Sequence, residues 1–216
     1  VTPNELILAM LRARTDLLFF GGIGTYVKST TETNADAGDR SNDALRINAE
    51  EIRAKVVGEG ANLAFTQRGR IEYAKKGGRL NTDFIDNSAG VDTSDHEVNI
   101  KILLSDVARD TKHNLTYKNR NKLLAEMTDD IAALVLKDNY QQTQALSLLE
   151  SSAADLLPDH IEFMRSLEKA GLLNRKVEFL PDDEELDQRL RNHKGLTRPE
   201  LCLLVSYGKL TYTNAL

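Results

Sequence analysis

The chain has one cysteine, Cys202, among 216 residues, so it cannot hold an internal disulfide, and a reducing, cytoplasmic setting is expected. No apolar run approaches the roughly 18 residues of a membrane span, and no membrane partner is expected. The four histidines, His96, His113, His160 and His193, are scattered without metal-ligand spacing, so no metal is expected either. Positive charge is also short: 28 Lys and Arg against 33 Asp and Glu leave a net charge of −5, which gives no electrostatic reason to approach nucleic acid or anionic lipid. Val1-Thr2-Pro3 offers no initiator Met and no basic-then-apolar signal pattern, and the expectation is a segment excised from a longer protein. No internal repeat or low-complexity tract is found.

With 41% hydrophobic residues the chain can build the core of one generous domain or two small ones. Thr2 as cap, Pro3 just inside, and Leu6, Ile7, Met10 and Leu11 on one face predict a first helix. Leu17-Leu18-Phe19-Phe20 reads as a short buried strand that breaks at Gly21-Gly22-Ile23-Gly24. Residues 29–41 are polar without an apolar period and read as a surface loop, followed by a short helix near Ala44 to Ile52. Lys55-Val56-Val57-Gly58 is a second strand, Glu59-Gly60-Ala61-Asn62 a turn, and a helix then runs to about Lys76, where Gly77-Gly78 can end it.

After Asn81 helical spacing takes over, in Ile100, Leu103, Leu104, Val107 and Ala108 and again in Leu123, Leu124, Met127, Ile131, Leu134 and Val135. Further amphipathic stretches cover residues 140–157, 159–170, 182–192 and 198–212, the last opened by the box Thr197-Arg198-Pro199-Glu200. The fold class is therefore α/β: residues 1–95 read as a sheet-bearing half and residues 96–216 as a helical region.

Gly22-x-Gly24-x-x-Val27 invites the dinucleotide fingerprint, but the third glycine is absent and Lys28 to Asn34 lacks the apolar stripe of a following helix, so a plain glycine turn beside some ligand is the expectation. Gly58-Glu59-Gly60-Ala61-Asn62 sits where ligands of open α/β sheets bind, outside the carboxyl end of a strand. There Asn62 either offers an amide to a ligand or bonds its own turn. Asn87 to Ser94 is small and polar and runs into a helix. Ser94-Asp95-His96-Glu97 matches a capping box, which makes Ser94 a helix cap, a carboxylate ligand, or both. His96 with Asp95 and Glu97 lacks further ligand spacing, Cys202 among leucines reads as a buried helix residue, and Lys118 to Lys122 as a solvated helix start.

The strings DLLFFGGIGTYVK, NDALRI, KVVGEGANLAFTQRGRIEYA and GGRLNTDFIDNSAGVDTSDHEVNIKILL resemble, in order, the large NAD-specific glutamate dehydrogenases of bacteria. The resemblance is close from Asp16 to Leu104 and looser to Leu216. The same segments are similar to the second half of the nucleotide-binding domain of the shorter glutamate dehydrogenases, which implies a partial Rossmann-like fold followed by a mainly helical region.

That resemblance implies NAD as cofactor and L-glutamate and 2-oxoglutarate as substrates of a parent enzyme expected to be a homo-oligomer. Gly21 and Gly22 match a strand end bordering the cofactor. Gly60 and Asn62 belong to the segment near the nicotinamide ribose, and Asn87 opens the segment close to nicotinamide and substrate. Val91 matches a residue lining the substrate pocket, and Ser94 the serine that holds the side-chain carboxylate of glutamate. Ser88-Ala89 stands where the shorter enzymes show Ala-Gly, Asp92 replaces a threonine, and His96 an aromatic residue. No catalytic residue is assigned here, because the family's complete glycine fingerprint, catalytic lysine and catalytic aspartate fall before Val1. The expected segment is thus inactive alone, with a helical interaction or regulatory module mediating oligomer contacts as the alternative.

Overall fold

The computed structural model of the chain describes residues 1–110 and 115–215; His113 lies outside the described residues. The chain divides into two compact units, one formed by Val1–Asp86 with Ala145–Leu216, the other by Asn87–Gln144. The class is α/β with few, parallel strands and a helical majority.

In the first unit, α1 (Pro3–Leu11) begins where the sequence predicts: the Thr2 hydroxyl accepts the Glu5 N–H and the Glu5 carboxylate accepts the Thr2 N–H. β1 (Leu17–Phe20) follows, then β2 (Val27–Lys28) and the one-turn α2 (Asn34–Ala37). β3 (Ile47–Asn48) and β4 (Val56–Glu59) complete the strands, and α3 (Gln67–Lys75) and the short α4 (Asp83–Asp86) close this stretch. β1 and β4 pair in parallel from Leu17 with Val56 to Phe20 with Glu59, and β2 and β3 pair in parallel at Val27 with Ile47 and Lys28 with Asn48.

Three expectations are corrected. β1 is not a buried strand: Leu17 and Phe19 are exposed and only Phe20 is buried, because one face of the pair lies open among the described residues. Residues 44–52 form β3 and a 3-10 turn, Ala49–Glu51, instead of a helix. Pairing with Val27 buries Ile47 to 2% exposure, so sheet contacts outweigh a weak helical pattern. The polar stretch 29–41 is not all surface loop either. It carries α2 and buries Ser29 and Glu32, whose carboxylate accepts the Ser29 N–H at 2.8 Å and the Thr66 hydroxyl at 2.5 Å.

The core beside the strands gathers Phe20, Val27, Ile47, Val57, Phe65 and Tyr73, with Phe20 edge-on to Phe65 at 5.7 Å. The buried Tyr73 hydroxyl donates to the Ala54 carbonyl at 2.7 Å.

Beyond α4 the chain is helical: α5 (Ser88–Arg109), α6 (Tyr117–Glu126), α7 (Thr128–Ser151), α8 (Leu157–Lys169), α9 (Asp183–Arg191) and α10 (Arg198–Ala215). The first unit packs α8, α9, α10 and the end of α7 around Leu146, Leu157, Met164, Leu186 and Leu201. Arg189 of α9 is held by both carboxylate oxygens of the buried Glu200, each at 2.7 Å. Glu200 also accepts the Thr197 N–H at the start of α10, as the box there predicts. In the second unit Ile131 and Val135 of α7 are buried, while α5 has no buried residue and exposes Val98, Ile102 and Leu103. No helix among the described residues is long and apolar enough to cross a membrane.

Candidate functional site

Because β1 and β4 run parallel and in register, their carboxyl ends lie side by side, Phe20 opposite Glu59. The turns that leave them, Gly21-Gly22-Ile23-Gly24 and Gly60-Ala61-Asn62, therefore emerge at one sheet edge, the position at which open α/β sheets bind ligands. Gly21, Gly22, Gly60 and Asn62 are all exposed there. The ring of Phe19, 62% exposed, lies over Gly58 and Gly60, where an added Cβ would overlap it; at Gly22 an added Cβ would meet nothing within 4 Å. Gly24 has φ of 134° and leads into β2 rather than a helix, so this turn presents no helix N-terminus to a pyrophosphate.

Below this edge lies a charged cluster that motif reading does not isolate. The Arg70 side chain is 4% exposed and that of Glu59 is 0% exposed. Arg70 Nε and Nη2 donate to the two Glu59 oxygens at 2.7 and 2.8 Å, and Nη2 also lies 3.1 Å from Asp83 Oδ1. Burial pushes the Glu59 carboxyl above its ordinary range, against the pull of the Arg70 guanidinium. Glu59 Oε2 accepts the Phe65 N–H at 3.2 Å. From α4, Asp83 Oδ2 accepts the Leu63 N–H at 2.8 Å and Asp86 Oδ2 accepts the Glu59 N–H at 2.9 Å. The available sequence signal is an acidic residue at the end of β4 and another at the start of α4, with an arginine on the helix between. Neither residue alone indicates the pairing.

In the second unit, Asn87 stands just before α5 and makes no side-chain cap bond. Val91 is 67% exposed. Ser94 is not an N-cap: α5 starts at Ser88, and the Ser94 hydroxyl, inside the helix, donates to the Gly90 carbonyl at 3.3 Å. Asn87, Val91 and Ser94 thus lie along the first two turns of one helix.

His96 has partners that sequence spacing only half discloses. Its Nε2 lies 3.6 Å from Asp92 Oδ1, four residues earlier on α5, and 3.3 Å from Asp138 Oδ2 on α7. The three side chains are 24 to 47% exposed and their ligand atoms lie within 4.8 Å of one another, a geometry that could hold a metal ion and that exposed acidic groups also adopt without one. Cys202 is fully buried on α10, and burial pushes its thiol up, as expected of an inert core residue.

Residues 1–149 match the family model described as bacterial NAD-glutamate dehydrogenase, catalytic domain. The chain is 56% identical over 209 residues to the NAD-specific glutamate dehydrogenase of Halomonas elongata and 54% identical over 216 residues to that of Pseudomonas aeruginosa. It is 48% identical over 210 residues to that of Mycobacterium tuberculosis. These alignments cover 97 to 100% of the chain but 13% of each relative, so the chain spans about an eighth of the length of the curated relatives it matches. A family match over residues 1–149 and identities near one half along almost the whole chain have one reading: the chain belongs to the bacterial NAD-glutamate dehydrogenases.

Proposed function

We propose that this chain is part of a longer enzyme that oxidatively deaminates L-glutamate to 2-oxoglutarate and ammonium with NAD as hydride acceptor. The observation that carries the reading is the catalytic-domain match over residues 1–149. In this reading β1, β4 and their turns are the second half of a Rossmann-like nucleotide-binding domain. The glycine fingerprint, the catalytic lysine and the catalytic aspartate then belong to other parts of the longer protein, and residues 1–216 are inactive alone. The same reading expects a cytoplasmic homo-oligomer. The exposed Val98, Ile102 and Leu103 of α5 favour helical contacts between copies as an accompanying role.

The residues present fit the nicotinamide half of NAD. Gly22 leaves open space beside its backbone, and Gly60 and Asn62 are exposed at the same sheet edge. The turn after β1 does not fit the pyrophosphate, since a strand follows it. Bound NAD supplies the hydride acceptor. Gly21, Gly22, Gly60, Asn62 and Asn87 would border and orient the nicotinamide, Val91 would line the glutamate pocket, and Ser94 would hold the distal carboxylate so that the α-carbon faces the ring. Their contribution is orientation rather than proton transfer.

The test compares glutamate-dependent NADH formation by the full-length protein, by residues 1–216 alone, and by a full-length Ser94→Ala variant. Activity only in the full-length protein, with a raised glutamate KM and a little-changed NAD KM in the variant, is expected. A full-length protein that does not reduce NAD with glutamate would falsify the reading.

A further inference from the structure

Residues Glu59 to Leu63 carry Gly60 and Asn62, and their two ends are held by carboxylates from the same short helix. Asp86 accepts the Glu59 N–H at 2.9 Å at one end, and Asp83 accepts the Leu63 N–H at 2.8 Å at the other. Leu63 sits at φ of 59°, a left-handed conformation uncommon for a residue with a branched side chain, so the fixed N–H helps define where the turn reverses. The two carboxylates are supported differently. Asp83 is buried against Arg70, within the ion cluster that also holds Glu59. Asp86 is half-buried, and its second oxygen accepts the Asn81 amide at 2.6 Å. Asn81 Oδ1 in turn accepts Arg198 Nε at 2.6 Å, and Arg198 Nη1 donates to Glu150 at 2.9 Å. Asp86 is also the residue directly before Asn87 in the chain.

We infer that Asp86 is a positioning residue for the cofactor: it fixes the start of the Glu59–Leu63 turn from the same backbone that leads into Asn87. The inference rests on the proposed role of Gly60, Asn62 and Asn87 beside NAD. A carboxylate accepting a backbone N–H is a strong, directional constraint. Its loss removes the anchor on the Glu59 N–H while Asp83 still holds Leu63 and the Phe20 carbonyl still accepts the Ala61 N–H, so the turn carrying Gly60 and Asn62 shifts rather than unfolds. The consequence falls on NAD rather than on glutamate, because Val91 and Ser94 lie on α5, away from the freed turn in sequence.

The experiment uses the full-length protein and steady-state kinetics against NAD and glutamate separately, with thermal melting of every variant. Asp86→Ala is expected to raise the NAD KM about tenfold, the equivalent of one lost hydrogen bond to a charged group, with glutamate KM within about twofold. Asp86→Asn keeps an oxygen acceptor for the Glu59 N–H and is expected to recover most of the NAD KM, which a merely structural role would not predict. Asn81→Ala removes only the support behind Asp86 and is expected to raise the NAD KM in the same direction, which decides the matter if Asp86→Ala does not fold. An unchanged NAD KM in Asp86→Ala, or in Asn81→Ala where the former is insoluble, overturns the inference, as does a fall in melting temperature with both KM values kept. A wild-type protein without glutamate-dependent NAD reduction overturns the parent reading, and the inference with it.

Discussion

Arg70 and Glu59 meet through two hydrogen bonds of 2.7 and 2.8 Å, one to each carboxylate oxygen, in a site almost closed to solvent. Such a pair fixes geometry because its two donors and two acceptors match in only one orientation. Glu59 belongs to β4 and Arg70 to α3, so the pair sets how the helix leaves the strand and where the turn between them lies.

Replacing Arg70 by methionine leaves the Glu59 carboxylate buried without its counter-charge. Breaking a buried pair in this way costs about 3–5 kcal/mol, and the buried Asp83 loses its Arg70 counter-charge at the same time. Amide hydrogen exchange over residues 56–75 of the full-length protein reads the effect directly, and Arg70→Met is expected to lose protection there by orders of magnitude. Protection equal to wild type would show that the pair contributes little.

The Phe19 ring over Gly60 gives a second, weaker dependence. Gly60→Ala must push that ring aside, but the ring is mostly exposed and its far end is what the new methyl group meets, so the stability loss is expected to stay below about 1 kcal/mol. The loss should vanish in a Phe19→Ala background. Melting the four proteins of that cycle measures the coupling, and strictly additive losses would mean that the ring and the methyl group never compete.

Ser94 tests the substrate side. Its hydroxyl is exposed on α5 and bonds within the fold to the Gly90 carbonyl, a contact that alanine forgoes at little cost to a helix. Ser94→Ala is therefore expected to leave the melting temperature unchanged while raising the glutamate KM roughly tenfold or more if the hydroxyl holds the distal carboxylate. A kinetic effect seen without a thermal one separates the two roles, and an unchanged glutamate KM removes Ser94 from the substrate pocket.

Local chemistry makes much of this fold legible in the sequence. Thr2 and Pro3 place the start of α1, the Gly77-Gly78 pair the end of α3, and Thr197 with Glu200 the start of α10, because caps and breakers act within a few residues. Non-local features stayed hidden. Ile47 becomes a strand residue only through Val27, 20 positions away. Asp138 reaches His96 from another helix, and α4 grips the Glu59–Leu63 turn from beyond α3. Ser94 shows the opposite failure: a capping pattern occurs inside a helix that already began at Ser88, where the serine hydroxyl bonds back to the Gly90 carbonyl one turn earlier instead of capping. Family resemblance nominates the glycines and asparagines of the candidate site, whereas the hydrogen bonds of Asp83 and Asp86 to the Glu59–Leu63 turn carry no sequence signal, because they depend on what the two carboxylates touch.

His160 provides a pH-dependent test of the helical part. It is half-buried on α8, burial is the largest influence on its ring and lowers its pKa, and the nearby Asp159 charge pulls in the other direction. Its Nδ1 is buried and has no hydrogen-bond partner among the described residues. The folded state thus holds the proton less tightly than the unfolded chain, whose histidine titrates near about 6.5. This contribution to stability is complete above that value and is lost as pH falls through the lower folded pKa, because the unfolded state gains the proton first. The fall in melting temperature between about pH 7.5 and pH 5 should be smaller in His160→Gln than in wild type, since glutamine takes up no proton in that window. Equal falls in the two proteins would mean that His160 gains its proton as readily in the fold as out of it.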